Sequence, residues 1–150
     1  MSLVNPLRPL PIPNPLTEPY WQAALEGVLK MPHCLSCGQF HFYPRSLCPF
    51  CRSDALDWQA VSGLGEVYSY TVVHRAPSLG FKGMLPYTVG IISLDEGPHL
   101  MSRIVGVPPE EIFIGMRVNV DFESQNSEIN LPVFVKSLQA PRVVTPKENA

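Results

Sequence analysis

From residue 62 onward, the chain alternates β-branched or aromatic residues with polar ones, in short runs interrupted by Gly and Pro. This period-two alternation predicts β-strands with one buried face. Five strands are predicted, at residues 67–75, 87–95, 99–105, 117–123 and 133–138. A one-turn helical connection is expected at Pro108, and a polar loop is expected over residues 124–130. Five antiparallel strands with one helical connection predict a small Greek-key barrel, for which the OB-fold is the commonest choice.

A short helix is predicted ahead of the strands, over residues 17–27. Thr17 is a typical N-cap, Pro19 suits the first turn and Gly27 is a natural stop. Because a helix of about ten residues is not stable alone, its aromatic face must pack on another surface. That face carries Tyr20 and Trp21, which we expect to contact either the body of the protein or a partner chain.

The rest of the chain divides by composition. Residues 1–16 contain five of the 17 prolines and read as an extended arm, either disordered or lying along a partner. Residues 28–60 are expected to form a small metal-binding ribbon that begins with a strand at residues 28–31. The aromatic residues of the ribbon are expected to supply its packing. Residues 61–140 form the predicted barrel, and residues 141–150 are expected to be a flexible tail.

The four cysteines form two Cys-x-x-Cys pairs separated by ten residues: Cys34, Cys37, Cys48 and Cys51. Four thiols from two tight turns form the tetrahedral cage that structural Zn²⁺ prefers, and such a closed site leaves no position for a catalytic water. Iron fits the same cage. Two disulfides and a redox-active pair are the other interpretations, but no secretory signal is evident, and Cys-x-x-Cys bridges close unfavourably small loops.

Charge and hydropathy exclude several classes of function. The formal net charge is −2, and residues 61–140 carry five basic against eight acidic residues. A groove for single-stranded nucleic acid requires the opposite sign. Apolar runs do not approach the roughly 18 residues of a membrane span. We therefore expect a cytoplasmic protein that binds neither nucleic acid nor membrane.

The connection between the first two predicted barrel strands, at residues 74–86, is the best candidate for a ligand site. It contains His74, Arg75, Phe81 and Lys82. Long loops between barrel strands are commonly functional or mobile. Two cations beside an aromatic ring suit a phosphorylated, partly apolar ligand, although both cations are equally compatible with ordinary solvation.

Familiar enzyme signatures are absent from the sequence, including the zinc-protease helix, the nucleophile elbow and the phosphate loop. The four histidines are scattered and form no recognisable constellation. If the chain has an activity of its own, His74 is the best candidate for a general base.

The order of motifs resembles one family, called domain-of-unknown-function family thirty-five, over residues 17–140. A leading helix precedes two cysteine knuckles with an aromatic-Pro-Arg segment between them, and barrel motifs follow. The matching residues are Cys34, Cys37, Gly38, Phe42, Tyr43, Pro44, Arg45, Cys48, Pro49, Cys51, Gly65, Val67, Tyr68, Ser69, Tyr70, Thr71, Pro86, Tyr87, Glu96, Gly97, Pro98, Ile114, Gly115, Met116 and Val118. The family combines a rubredoxin-like zinc ribbon with an OB-fold.

The resemblance implies a non-catalytic accessory subunit that helps to bind or channel an acyl-CoA. Members of the family accompany thiolase-like and lipid-transfer-protein-like enzymes, so a hetero-oligomer is expected. An acyl-CoA hydratase or thioesterase-like enzyme is the first alternative, and a nucleic-acid-binding OB module is the second.

Overall fold

The computed structural model describes residues 8–138. Its elements in chain order are α1 (Glu18–Leu25), β1 (Lys30–Cys34), β2 (Leu56–Ala60), β3 (Leu64–Val73), β4 (Tyr87–Leu94), β5 (His99–Ile104), β6 (Arg117–Ser124) and β7 (Asn130–Lys136). The predicted order of helix, ribbon and five-stranded barrel is confirmed. The start of the predicted arm and the predicted tail lie outside the described residues.

Helix α1 follows the N-cap residue Thr17, as predicted, but the Thr17 side chain makes no capping hydrogen bond. The Asn14 side-chain oxygen instead accepts hydrogen bonds from the backbone N–H groups of Leu16 and Thr17, each at 3.0 Å, and so organises the turn before the helix. At the other end, the Asn130 side chain donates to the Ala24 carbonyl at 3.1 Å. This bond fixes the helix to strand β7.

The ribbon (residues 28–60) is built on a two-stranded antiparallel sheet that pairs β1 with β2. The strand expected at residues 28–31 starts later and runs to Cys34, so the prediction of its bounds was wrong. Strand β2 was not predicted, although Leu56–Ala60 alternates apolar and polar residues over its five positions. Its extended form depends on pairing with β1 across the two knuckles.

The barrel (residues 64–136) is closed, with strand order β3-β4-β5-β7-β6. Strand β3 pairs with both β4 and β6, and a register shift between Val67 and Ser69 accompanies this double role. Closure on the other side is a parallel contact of β5 with β7 at Ile104 and Phe134. All other neighbouring strands are antiparallel.

The first and the last predicted barrel strands have different bounds in the structure, and one connection contains an unpredicted helix. The first barrel strand begins at Leu64 and ends at Val73, so His74 and Arg75 lie just beyond it. The last strand begins at Asn130, because its pairing with β6 extends out to Ser124. The connection at residues 74–86 also contains a 3₁₀ helix, Leu79–Met84, that was not predicted.

One hydrophobic core joins the helix, the ribbon and the barrel. Ile92, Val118 and Phe134 are fully buried in the barrel, and Leu29 and Met31 belong to the same cluster. Tyr20 also belongs to it, so the helix packs on the body of the protein, the first of the two expected alternatives. The ribbon therefore packs directly on the barrel and is not merely connected to it by the chain.

Candidate metal centre and surrounding surfaces

The four cysteine sulfurs converge as the spacing predicts. All four Sγ atoms lie within 4.8 Å of one another. The Cys34–Cys51 and Cys37–Cys48 sulfur pairs are 3.6 and 3.7 Å apart. A tetrahedron with Zn–S bonds of about 2.3 Å has edges of about 3.8 Å, whereas a disulfide requires about 2.05 Å. The geometry therefore fits a structural zinc ion and rejects the disulfide interpretation.

The two knuckles are built alike. In the first, the Gly38 N–H donates to the Cys34 carbonyl at 2.8 Å; in the second, the Arg52 N–H donates to the Cys48 carbonyl at 2.9 Å. Gly38 and Arg52 occupy equivalent positions, with φ of 74° and 64°. The Ser36 and Ser53 hydroxyls, 2.8 Å apart, connect the knuckles. Two local turns thus bring the thiols together.

Backbone donors favour the thiolate form that a metal needs. Hydrogen bonds from the N–H groups of Cys37 and Ser36 lower the pKa of the Cys34 thiol to about 6. Burial raises the pKa of Cys48, but the N–H groups of Cys51 and Phe50 outweigh it and hold that pKa below its ordinary value. The other two thiols shift the opposite way: backbone hydrogen bonds from Gln39 and Ser53 are outweighed by burial and by hydrogen bonds with neighbouring thiols, which raise the pKa of Cys37 and Cys51. Two of the four thiols therefore favour the thiolate form without a metal, and the other two lose their protons when a cation binds.

The residues predicted to bind a ligand lie on the connection between β3 and β4. His74, Arg75 and Lys82 are exposed, and Phe81 is half-buried with its ring 6.0 Å from that of Tyr87. A neighbouring cleft of about 230 Å³ is lined by other residues, including Met84 and Arg103, and by none of these four. The structure places the four on one loop, and their role in binding stays a prediction.

The N-terminal arm contacts this same region of the barrel. One Arg8 guanidinium nitrogen lies 3.1 Å from the Met84 sulfur, and another donates to the Gln125 side chain at 3.3 Å. Leu10 and Ile12 line a cleft against the β6–β7 connection. The described part of the arm thus lies along the chain's own barrel. Composition alone gave no signal for these contacts.

The two aromatic residues predicted to bind a partner have different surroundings. Tyr20 is buried, and its ring contacts Trp21 edge-to-face at 4.9 Å and Phe42 at 5.5 Å. Burial is the main reason that the pKa of Tyr20 is raised. Trp21 is half-buried and lines a shallow groove beside Met101 and Pro132. Only Trp21 presents appreciable surface, and a role of either residue in partner binding stays a prediction.

A larger groove, of about 450 Å³, lies at the seam between the ribbon and the barrel. One side comes from the segment between the knuckles, including His41 and Arg45, and from Phe50 of the second knuckle. The other side is the β4–β5 turn, with Glu96 and His99. We call it the seam groove. Sequence reasoning missed it because its two sides lie far apart in the chain.

The architecture is that of a four-cysteine zinc ribbon joined to an OB-fold barrel, and comparison with known proteins agrees. The family described as the ChsH2 rubredoxin-like zinc ribbon domain matches residues 21–57. The family described as the ChsH2 C-terminal OB-fold domain matches residues 58–123. ChsH2 is a protein of domain-of-unknown-function family thirty-five, abbreviated DUF35. The chain belongs to the DUF35 family, as the order of its motifs predicted.

Several curated proteins are similar in sequence. The chain is 38% identical over 130 residues to the probable enoyl-CoA hydratase alpha subunit of Thermomonospora curvata. It is 41% identical over 90 residues to a DUF35 domain-containing scaffold protein of Methanocaldococcus jannaschii, and 38% identical over 96 residues to one of Methanothermobacter thermautotrophicus. The aligned segments cover 85%, 59% and 63% of this chain, respectively. They span only 40% of the hydratase subunit, 63% of the first scaffold protein and 71% of the second.

Two solved structures have the same fold. A chain of the Ltp2-ChsH2(DUF35) aldolase superposes with a TM-score of 0.77 and 35% identity, covering 85% of this chain and 98% of that one. A DUF35-family protein of unknown function from Sulfolobus solfataricus superposes with a TM-score of 0.58 at 16% identity, covering 83% and 87%. The second likeness supports the fold alone. Within residues 8–138, no helix is long and apolar enough to cross a membrane.

Proposed function

We propose that this chain is a zinc-stabilised, non-catalytic subunit that docks on a thiolase-like enzyme and helps to hold or channel an acyl-CoA. The observation that carries the proposal is the similarity to nearly the whole of one chain of the Ltp2-ChsH2(DUF35) aldolase. That structure is named for two components, and the component similar to this chain contains the same ribbon and barrel. The scaffold names of two relatives support the same role.

The described residues favour an accessory role over a catalytic one. Four thiolates complete the zinc coordination and leave no open position for a substrate. The histidines lie on different elements: His33 contacts Asp57 within the ribbon sheet, His41 is buried, His74 is exposed on its loop, and the His99 ring lies 4.6 Å from that of Tyr68. Only His41 and His99 share a surface, the seam groove, which Glu96 also lines. Within residues 8–138, His41 and Glu96 form no hydrogen bond with each other, so no acid–base pair is positioned there.

The loop at residues 74–86 is our candidate for the acyl-CoA contact. Arg75 and Lys82 are exposed cations beside a half-buried aromatic ring. Charge-assisted hydrogen bonds contribute about 1.5–3 kcal/mol each, so the variant with Arg75→Ala and Lys82→Ala should bind a CoA ester at least about ten-fold more weakly. Calorimetry on the complete complex measures this, with the exposed Lys136→Ala as the matched control. Equal affinities for the double variant and the control would remove the loop from the proposal.

A second candidate function is a hydratase or thioesterase-like activity of the chain itself. The hydratase-subunit names of two relatives favour it. However, this chain spans only 40% and 22% of those proteins, so their names do not assign the activity to the shared part. Nucleic-acid binding has no support in the acidic barrel.

Co-purification tests the proposal most directly. The tagged chain is expressed at its natural level, and the proteins recovered with it are identified by mass spectrometry and then assayed with and without it. We expect a thiolase-fold enzyme in stoichiometric amount, whose stability or activity falls when this chain is removed. Turnover of an acyl-CoA by the purified chain alone, with no such enzyme recovered, would favour the second candidate.

A further inference from the structure

The seam groove contains polar atoms that the proposed function does not yet use. His41 is only 4% exposed, and within residues 8–138 neither of its ring nitrogens has a hydrogen-bond partner. The same holds for one carboxylate oxygen of Glu96, while the other accepts from the Ser62 N–H at 2.8 Å. Buried polar atoms without partners cost free energy, so each one requires an explanation.

The charges around these atoms indicate what kind of group complements them. Burial and the nearby Arg45 guanidinium both lower the pKa of His41, so its ring is neutral and offers one donor and one acceptor. The formal charges of Arg45 and Glu96 cancel, so the groove has no net charge with which to select an anion. A neutral group that both donates and accepts fits best. A peptide or other secondary amide is such a group.

The rim of the groove indicates that the amide belongs to a protein. Most of its lining residues are exposed, whereas pockets for small molecules enclose most of their ligand. Two tyrosines outside the lining contact lining residues: Tyr43 stacks on Phe42 and Tyr68 contacts His99, with ring centroids 4.6 Å apart in each pair. These two tyrosines are 63% and 58% exposed. Tyrosine and arginine, here next to and in the lining of the groove, are residue types that commonly anchor protein interfaces.

We propose that the seam groove receives a main-chain segment of the partner enzyme. A carbonyl of that segment accepts from the His41 ring N–H, and peptide N–H groups donate to the other ring nitrogen and to Glu96. The exposed rings of Tyr43, Phe50 and Tyr68 cover its side chains. This inference rests on the proposed function, because it needs a partner enzyme.

A matched pair of variants tests the site of docking. Phe50 and Leu35 occupy the middle of the two Cys-x-x-Cys knuckles and are 58% and 61% exposed, but only Phe50 lines the groove. The probe is the thiolase-fold enzyme recovered by co-purification, titrated by calorimetry. We expect Phe50→Ala to raise the dissociation constant about ten-fold or more and Leu35→Ala to change it less than about two-fold. Equal effects of the two variants would overturn the proposal.

His41→Phe tests the amide contact itself. It keeps a planar ring but removes both nitrogens, so it should make the free chain more stable to unfolding, because two unpartnered buried atoms disappear. The same variant should weaken the complex about five- to ten-fold. A purely structural His41 would shift stability and affinity in the same direction, and that result would contradict the proposal.

The remaining outcomes separate this inference from the function on which it rests. If the wild-type chain forms no complex with any thiolase-fold enzyme, the proposed function fails and the inference fails with it. If a complex forms and both Phe50→Ala and His41→Phe leave its affinity unchanged, only the inference fails. The two variants could instead weaken binding of a CoA ester to the isolated chain and leave the complex intact. In that case the seam groove binds the amide of a small ligand, and the proposal that it binds a main-chain segment of the partner enzyme is wrong.

Discussion

The ribbon and the barrel are stabilised in opposite ways. In the barrel, Ile92, Val118 and Phe134 are fully buried. In the ribbon, by contrast, four large apolar side chains are more than half exposed: Leu35, Tyr43, Leu47 and Phe50. A segment of about 30 residues cannot supply a core of its own, so a metal takes that role. The metal also leaves the ribbon's apolar side chains available for contacts with other molecules.

Removing a zinc ligand should separate the two regions most strongly. Metal binding is worth about 10–16 kcal/mol in isolated zinc-finger peptides, so Cys48→Ser should unfold residues 28–60 and leave much of the barrel folded. Metal analysis and amide hydrogen exchange measure both parts. Leu47→Ser, at the exposed neighbour, is the control and should retain the metal. A ribbon that stays protected in Cys48→Ser would show that packing on the barrel, through Leu29 and Met31, suffices without metal.

The reverse experiment weakens the barrel core. Phe134 is fully buried where β5 meets β7, so Phe134→Ala should lower the free energy of unfolding by about 3–5 kcal/mol. Phe113→Ala, at a 52% exposed ring, should change it far less. Denaturant unfolding with simultaneous zinc-release measurement would determine the order of events. Zinc released at the same denaturant concentration as barrel unfolding would indicate one cooperative unit rather than two.

A buried ion pair gives a smaller effect within the barrel. Arg117 is 5% exposed and donates two hydrogen bonds of 2.8 Å to the Asp95 carboxylate, which raises the pKa of Arg117. Asp95→Ala leaves that cation buried and should cost about 2–4 kcal/mol, somewhat below a fully enclosed pair. Glu123→Ala breaks the more exposed pair with Arg103 and should cost about 1 kcal/mol or less. Thermal unfolding of the two variants provides the comparison, and equal losses would contradict it.

The parts of the fold that follow local rules were predictable from sequence. The zinc cage depends on two turns whose ligands lie three residues apart, so Cys34, Cys37, Cys48 and Cys51 could be assigned without a structure. Alternation in the barrel strands likewise depends only on neighbouring residues. Strand β2 was missed although its five residues alternate, because so short a run beside the second knuckle is not decisive until it pairs with β1.

The contacts that connect distant segments were not predictable. Asp95 reads as an ordinary turn residue until the barrel brings it to Arg117, and Glu96 faces the ribbon only once the ribbon is seated. His41 carries no sequence signal, because a single histidine in an aromatic segment has many uses. The candidate ligand loop, residues 74–86, could be located from the sequence, but its ligand could not be identified. Arg75 and Lys82 are exposed, so their surroundings do not indicate which ligand they would bind.

The smallest expected change in stability comes from comparing equivalent positions in the two knuckles. Arg52 has a positive φ of 64° at the position equivalent to Gly38, whose φ is 74°. An L-residue pays about 1 kcal/mol or more for this conformation, and glycine avoids that cost while losing some entropy on folding. Arg52→Gly should therefore stabilise the metal-bound ribbon by about 0.5–1 kcal/mol, and Gly38→Ala should destabilise it by a similar amount. A methyl group at Gly38 would meet nothing within 4 Å, so its effect is conformational alone. Competition with a zinc chelator measures the zinc affinity of both variants, which should rise in Arg52→Gly and fall in Gly38→Ala. Affinity changes of the same sign in the two variants would contradict this prediction.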